Sequence, residues 1–192
     1  MSTSISRPSL QQRVSSAILE AAARVLAEQG DQASMGDVAA AAGVARATVY
    51  RYFPNRQALL DELARVAVAE AGERLASARL DAVPVNDGIT RAVRALVDVG
   101  DYFVVLTRER AEPDPDQFER SLAAPLRELL ERGQAEESIR SDVPATWLAD
   151  SLVALVVSAL LAPPLLGAED TIAAVTGLFL DGAANHRDGS DD

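Results

Sequence analysis

The feature that most constrains this 192-residue chain is its punctuation between Gly30 and Asn55. Residues that stop or start helices recur there at short intervals: Gly30, Ser34, Gly43 and the pair Pro54-Asn55. Glycine takes the left-handed backbone that ends a helix, proline cannot continue one, and serine or asparagine accepts the free N–H groups of a new first turn. Upstream, Val14, Ile18, Ala21 and Val25 follow at spacings of four, three and four, which places them on one helical face. The pattern predicts a first helix ending at Gly30, a second from about residue 35 to Ala42, a third after Val44 through Phe53, and a long fourth from Asn55 to near Leu80. Ser34-Met-Gly-Asp37 reads as a capping box, its carboxylate suited to the positive end of the helix. Two short helices separated by Gly43-Val44-Ala45 have the spacing of a helix-turn-helix.

The remainder also reads as helical. Asp81 to Asp87, with Pro84 and Asn86, is a loop and a candidate domain boundary. Ile89, Val93, Leu96, Val97 and Val104 mark a helix broken or kinked at Gly100-Asp101, and Glu112 to Asp116 forms a second loop. Phe118, Leu122, Leu126, Leu129 and Leu130 give an amphipathic helix that Pro125 should bend. After a turn-rich stretch from Gly133 to Pro144, Trp147 to Leu161 is apolar nearly all round and should be buried on most sides. A final helix is expected from about Asp170 to Ala184, and the tail Arg187 to Asp192 is polar enough to be disordered. Aromatics are only 4% of a chain that is 48% hydrophobic, which favours an Ala/Leu/Val core of packed helices over a sheet. The fold class expected is all-α.

Other classes are disfavoured. The chain has no cysteine, so disulfides and thiolate metal sites are excluded. Its only histidine, His186, sits beside the tail, leaving no Ser-His-Asp triad or histidine metal cluster, and no glycine-rich phosphate loop follows a strand. The reading is therefore not an enzyme, with no cofactor and no metal. The polar N-terminus lacks a secretory apolar core, and Leu152 to Gly167, interrupted by Ser158 and Pro163-Pro164, falls short of the roughly 20 residues of a bilayer span. A cytoplasmic protein without a membrane partner is expected.

If Val44, Val49 and Phe53 face the core, Arg46, Ala47, Tyr50 and Arg51 lie opposite, since 46 with 50 and 47 with 51 are pairs four apart. Small Ala45 and Ala47 permit close approach to a surface. Arg46 can reach a guanine edge bidentately or a phosphate, and Thr48, Tyr50, Arg51 and Tyr52 can donate to phosphate oxygens. Arg56 adds a cation at the start of the fourth helix. Arg7 and Arg13 are candidates for an N-terminal arm that touches DNA or remains an unstructured tail. The run from Ser34 to Leu60, with Gly-Val, Thr-Val-Tyr-Arg-Tyr-Phe, Asn-Arg and a Leu pair, closely resembles the DNA-binding signature of TetR-family transcriptional regulators. The resemblance covers about residues 11 to 65.

That resemblance implies a homodimer on a palindromic double-stranded DNA operator, with a C-terminal domain that binds a small-molecule inducer and dimerises through its last two helices. It places Arg46 and Ala47 at base-reading positions and Ser34, Ala45, Thr48, Tyr50, Arg51, Tyr52 and Arg56 at phosphate-contacting or flanking ones. Position 45 is often serine in the family, and Ala45 can neither cap the recognition helix nor touch phosphate through a hydroxyl. The domains expected are an arm (1–10), a DNA-binding domain (11–56), a ligand-binding and dimerisation domain (57–186) and a tail (187–192). The function expected is a ligand-responsive regulator, a repressor released by its effector; the alternative is a helical protein-interaction module that binds no DNA.

In the C-terminal half, Trp147, Ser151 and Leu155 form one stripe of the apolar helix, and Tyr102, Phe103, Leu106, Phe118 and Leu122 are the other large side chains that can enclose a cavity. Few charges fall on these faces, which favours an apolar or amphipathic effector. Leu152, Val156 and Leu160, with Ile172, Val175, Leu178 and Phe179, are candidates for a four-helix interface between subunits or, alternatively, for an intrachain core. The net charge of -11 argues against nucleic acid when taken whole. Counted locally, residues 1 to 56 hold six arginines against four acids, and residues 57 to 192 hold twelve against twenty-five.

Overall fold

A computed structural model describes residues 9–162 and 166–184. Ten α-helices follow in order among these residues: α1 (Leu10–Gln29), α2 (Met35–Ala41), α3 (Arg46–Tyr52), α4 (Arg56–Ser77), α5 (Val85–Val97), α6 (Gly100–Glu109), α7 (Pro115–Phe118), α8 (Ala124–Ala135), α9 (Ala145–Leu161) and α10 (Ala168–Ala183). Short 3-10 turns occupy Gly30–Gln32 and Leu80–Ala82. The described residues contain no strand, only an isolated bridge between Ile139 and Ala184. The protein is all-α.

Two compact units result. The N-terminal unit comprises residues 1–64 together with 105–112, and the C-terminal unit comprises 65–104 and 113–192. The boundary lies beyond residue 56 because Leu59, Leu60 and Leu63, in the first turns of α4, are buried. Helices α4 and α6 each contribute residues to both units.

In the N-terminal unit, α1 buries Ile18, Ala21, Ala22, Val25 and Leu26. It begins one residue after Ser9, whose hydroxyl and Gln12 form a reciprocal capping box. Leu10 and Arg13 are therefore helical, which corrects the arm drawn to residue 10. Arg7, His186 and the tail from Arg187 lie outside the described residues. Gly30 and Gly43 take positive φ, 57° and 66°, where a Cβ would be strained. Helix α3 ends at the extended residue Phe53, and the Asn55 side chain accepts from the N–H of Ala58 at 2.8 Å to open α4.

In the C-terminal unit, α4 stops at Ser77, and Arg79 adopts the left-handed conformation that leads into the second 3-10 turn. The segment read as a loop to Asp87 turns helical at Val85, because Pro84 is tolerated at a helix start. Pro125 stands in the first turn of α8, where its missing N–H costs no helical hydrogen bond. A wider π turn over Glu119–Ala123 precedes it, with the Ala124 N–H reaching Glu119 O, so α7 runs on into α8 without a break. Helix α9 corrects another expectation: Leu148, Ala149, Leu152 and Val156 are buried, but Trp147 is 61% exposed, so only one face of this apolar helix is covered within the chain.

Close packing fixes α8 against its neighbours through glycine. A Cβ on Gly133 would lie 2.5 Å from Ile139 Cγ1 and 2.9 Å from Val85 Cγ1. Gly133→Ala is therefore expected to destabilise the chain by about 1–3 kcal/mol, the usual cost of overpacking, read as a fall in Tm by calorimetry.

Candidate nucleic-acid interface

Helix α3 has two unlike faces. Val49 is fully buried and Phe53, just past its end, is nearly so, while Arg46, Ala47, Tyr50 and Arg51 are exposed. Thr48 and Tyr52 are half-buried, which suits side chains that pack and also present a hydroxyl at the edge. The helix sits after the Gly43 turn, where Val44 N–H bonds to Ala39 O at 3.0 Å and ties it to α2. Ala45 stands at the N-cap with no side-chain hydrogen bond, leaving α3's first N–H groups free of an internal side-chain partner.

Two of the exposed cations are held by neighbouring rings. Arg46 Nη2 donates to Tyr50 Oη at 3.3 Å, and its guanidinium carbon is 5.5 Å from the Tyr50 ring centroid. Arg51 lies 5.4 Å from the Tyr52 ring centroid. Such cation–π pairs restrict the guanidinium and leave its outer N–H groups facing solvent. The geometry presents a planar donor fork and the Tyr50 phenol on the exposed face, with half-buried Tyr52 at its edge, groups suited to base edges and phosphates.

Ser34 forms the capping box expected of it, and Arg56 is engaged by its own chain. The Ser34 hydroxyl accepts from Asp37 N at 3.2 Å and donates to Asp37 Oδ2 at 2.6 Å, while the Ser34 backbone N–H donates to the same oxygen at 2.8 Å. Its side chain belongs to the α2 cap. These hydrogen bonds hold the Asp37 carboxyl below its ordinary value of 3.8. Arg56 does not present its charge to an external backbone. Its Nε and Nη2 donate to the two carboxylate oxygens of Glu109 at 3.2 and 2.5 Å. Nη1 donates to Ala33 O at 2.6 Å and Nη2 also approaches Gly30 O at 3.4 Å. A guanidinium whose donors are spent on four oxygens of its own chain has little left for DNA, and Arg56 acts here as a clasp within the N-terminal unit beside the exposed face of α3. Glu109, 53 residues away in sequence, is signalled by no local spacing.

The regulatory candidates also redistribute. Tyr102, Phe103 and Leu122 are buried in the C-terminal unit, and Phe118, Leu155 and Ser151 are half-buried, the Ser151 hydroxyl donating to Trp147 O at 2.8 Å. Leu106 is buried but belongs to the N-terminal unit, and Trp147 is at the surface. A cavity of about 600 Å³ in the C-terminal unit, between α4 and α8, is lined by none of them. Of the dimer candidates, Leu152, Val156, Ile172, Val175 and Phe179 are buried within their own chain and form intrachain core, because α9 and α10 pack on one another and on α5. Leu160 is half-buried and Leu178 is 67% exposed.

Residues 18–63 match the family model described as bacterial regulatory proteins, tetR family. The chain is 34% identical over 140 residues to the HTH-type transcriptional repressor LfrR of Mycolicibacterium smegmatis, covering 71% of this chain and 72% of that protein. Its fold is similar to the crystal structure of LfrR in complex with proflavine, with a TM-score of 0.70, 28% identity, and coverage of 88% of this chain and 96% of that one. It is likewise similar to the TetR regulator SCO0520 of Streptomyces coelicolor, with a TM-score of 0.64, 26% identity, and coverage of 90% and 99%.

Two outcomes follow from the interface geometry. Glu109→Ala leaves a half-buried guanidinium without its carboxylate and is expected to cost about 1–3 kcal/mol, measured by denaturant unfolding. For Asp37, a folded-state pKa below the unfolded one means its stabilisation is present above the ordinary value and lost as pH falls through the lower one. Asp37→Asn should accordingly flatten the decline of Tm on acidification, seen in parallel melts of both proteins.

Proposed function

The chain belongs to the TetR family of bacterial regulatory proteins and is a ligand-responsive DNA-binding regulator; from that premise we propose a repressor that binds a palindromic operator as a dimer and is released by a small molecule. The observation that carries the reading is α3, with Val49 and Phe53 anchoring one side while Arg46, Ala47, Tyr50 and Arg51 stand exposed on the other. In this reading Arg46 contacts a base edge, Ala47 allows close approach, and Tyr50, Arg51, Thr48 and Tyr52 hold phosphates. Residues 11–56 carry the DNA contacts, and the rest of the chain carries effector binding and dimerisation.

For the dimer, the outward faces of α9 and α10 support the reading. Trp147 and Leu178 are large apolar groups exposed in the single chain, and Ala173 and Ala174 leave α10 flat enough for a close helix approach. Leu160 lies on the same pair of helices. Tyr102, Phe103 and Leu122 remain candidates for contact with an apolar or amphipathic effector.

Because α4 and α6 belong partly to each unit, a change in the C-terminal unit has two continuous helices along which to reach the DNA-binding residues. Two α3 helices must fit half-sites that repeat at about 34–36 Å, so a small change in their separation abolishes simultaneous docking.

Selection from random DNA with the purified protein supplies the operator, on which Arg46→Ala is expected to weaken binding by about 1–3 kcal/mol with loss of preference at one position per half-site, read by fluorescence anisotropy. Equal losses on selected and random DNA would make Arg46 a phosphate contact, and no enrichment of any palindrome would reject the operator reading.

A further inference from the structure

Helix α3 begins with a cation. Arg46 is its first residue, where the positive end of the helix disfavours a guanidinium, and no acidic residue lies between Asp37 and Asp61 to compensate it locally. The side chains that neighbour Arg46 one turn along the helix are those three and four residues on, Val49 and Tyr50. Val49 is buried and apolar, and the flanking Ala45 and Ala47 end at Cβ. Tyr50, exposed on the same face, engages the guanidinium in two ways. Its Oη accepts from Arg46 Nη2 at 3.3 Å, and its ring centroid lies 5.5 Å from Arg46 Cζ.

The nature of this partner decides what Arg46 can do. Arg56 is the contrasting case, a guanidinium given to the Glu109 carboxylate, so that its charge is spent inside the chain. A phenol is neutral. It fixes the direction of the Arg46 fork and leaves the charge and the remaining N–H groups for an outside acceptor. The polarity of the bond has a second consequence. Because Tyr50 Oη accepts from Arg46, its own O–H is left to donate elsewhere, and a phosphate oxygen is an acceptor within the range of such a side chain on DNA.

We propose that Tyr50 is a positioning residue for base recognition: its ring and hydroxyl hold the Arg46 fork in the direction from which it meets a base edge, and the same hydroxyl ties that direction to a backbone phosphate. The inference rests on the reading of α3 as the DNA-contacting helix and gives Tyr50 a share in sequence discrimination as well as in phosphate contact. The two roles separate cleanly. Loss of a phosphate contact weakens binding to every sequence alike, whereas loss of a positioning contact lowers preference at the base pair that Arg46 reads.

Two measurements on the full chain test it. In the free protein, the nitrogen–proton heteronuclear NOE of the Arg46 Nε–H group is compared with that of exposed Arg13. It is expected to be clearly higher for Arg46, to stay so in Tyr50→Phe, which keeps the ring, and to fall to the Arg13 value in Tyr50→Leu, which keeps neither group. On the selected operator, fluorescence anisotropy compares the preferred base pair with its alternatives at the position where Arg46→Ala loses preference. Tyr50→Leu is expected to lower that preference about threefold or more, with unchanged far-UV circular dichroism. Tyr50→Phe should weaken binding by a similar factor on every sequence and keep most of the preference. Combined with Arg46→Ala, Tyr50→Leu should cost no further preference. An Arg46 group as mobile as that of Arg13 in the unaltered protein would overturn the proposal, and so would a Tyr50→Leu protein weakened equally on all sequences, which makes Tyr50 a phosphate contact alone. If instead Arg46→Ala leaves every base preference intact while the NOE pattern is as expected, the reading of Arg46 as a base contact is what fails, and the proposal falls with it.

Discussion

The N-terminal unit is organised around a single guanidinium. Arg56 joins three pieces of chain that have no local reason to meet: the turn after α1 through Gly30 O and Ala33 O, the first turn of α4, and the end of α6 through Glu109. Carbonyls at a helix end lack intrahelical donors, and a cation there also meets the negative end of the α1 dipole. Glu109 has a side chain only 10% exposed, so its charge is compensated by Arg56 and not by bulk water. Arg108, one residue earlier, donates to Ala27 O and grips the same end of α1. The turn after α1 sets where α2 begins, and α2 with the Gly43 turn sets where α3 stands. The placement of the DNA-facing residues thus depends on an ion pair whose acidic partner comes from a helix rooted in the other unit.

Against that frame, α3 is a weak helix made to stand by packing. Seven residues are too few to be stable alone, and two of them, Thr48 and Val49, are β-branched. Without a side-chain cap at Ala45 it forgoes about 1 kcal/mol that a serine would contribute. Val49, Phe53 and the Arg46–Tyr50 pair offset this, the first two through burial and the last through restriction of a side chain that is otherwise mobile.

What could be read from the sequence was what is local. Gly30, Ser34, Gly43, Pro54 and Asn55 act within four residues of themselves, and each does in the structure what its chemistry dictates. The opposition of Val49 and Phe53 to Arg46 and Arg51 follows from helical period alone. The clasp made by Arg56 is not legible because its partner lies 53 residues away, and a charged residue beside a motif looks the same whether it faces DNA or its own chain. In α9 nearly every residue is apolar, so periodicity carries no phase and could not separate buried Leu152 from exposed Trp147. The π turn before Pro125 is not legible either, because it has no sequence signature of its own.

Charge, counted by compact unit, sharpens the view of how this protein meets DNA. The N-terminal unit, with residues 105–112 included, holds eight arginines and eight acids, so the full net charge of -11 resides in the C-terminal unit. The slight basicity of residues 1–56 is cancelled by Asp61 and Glu62 on α4 and evened by the α6 segment, which brings as many acids as arginines. Arg56 is further withdrawn by Glu109, leaving Arg46 and Arg51 as the exposed cations of α3. Counterion release scales with the number of phosphates neutralised, so such a surface gains little from DNA of arbitrary sequence. In the proposed dimer, affinity rests on shape, on uncharged donors such as Tyr50 and Tyr52, and on two half-sites engaged together. A dimer of the proposed kind would be readily released, since losing one half-site would remove most of what held it.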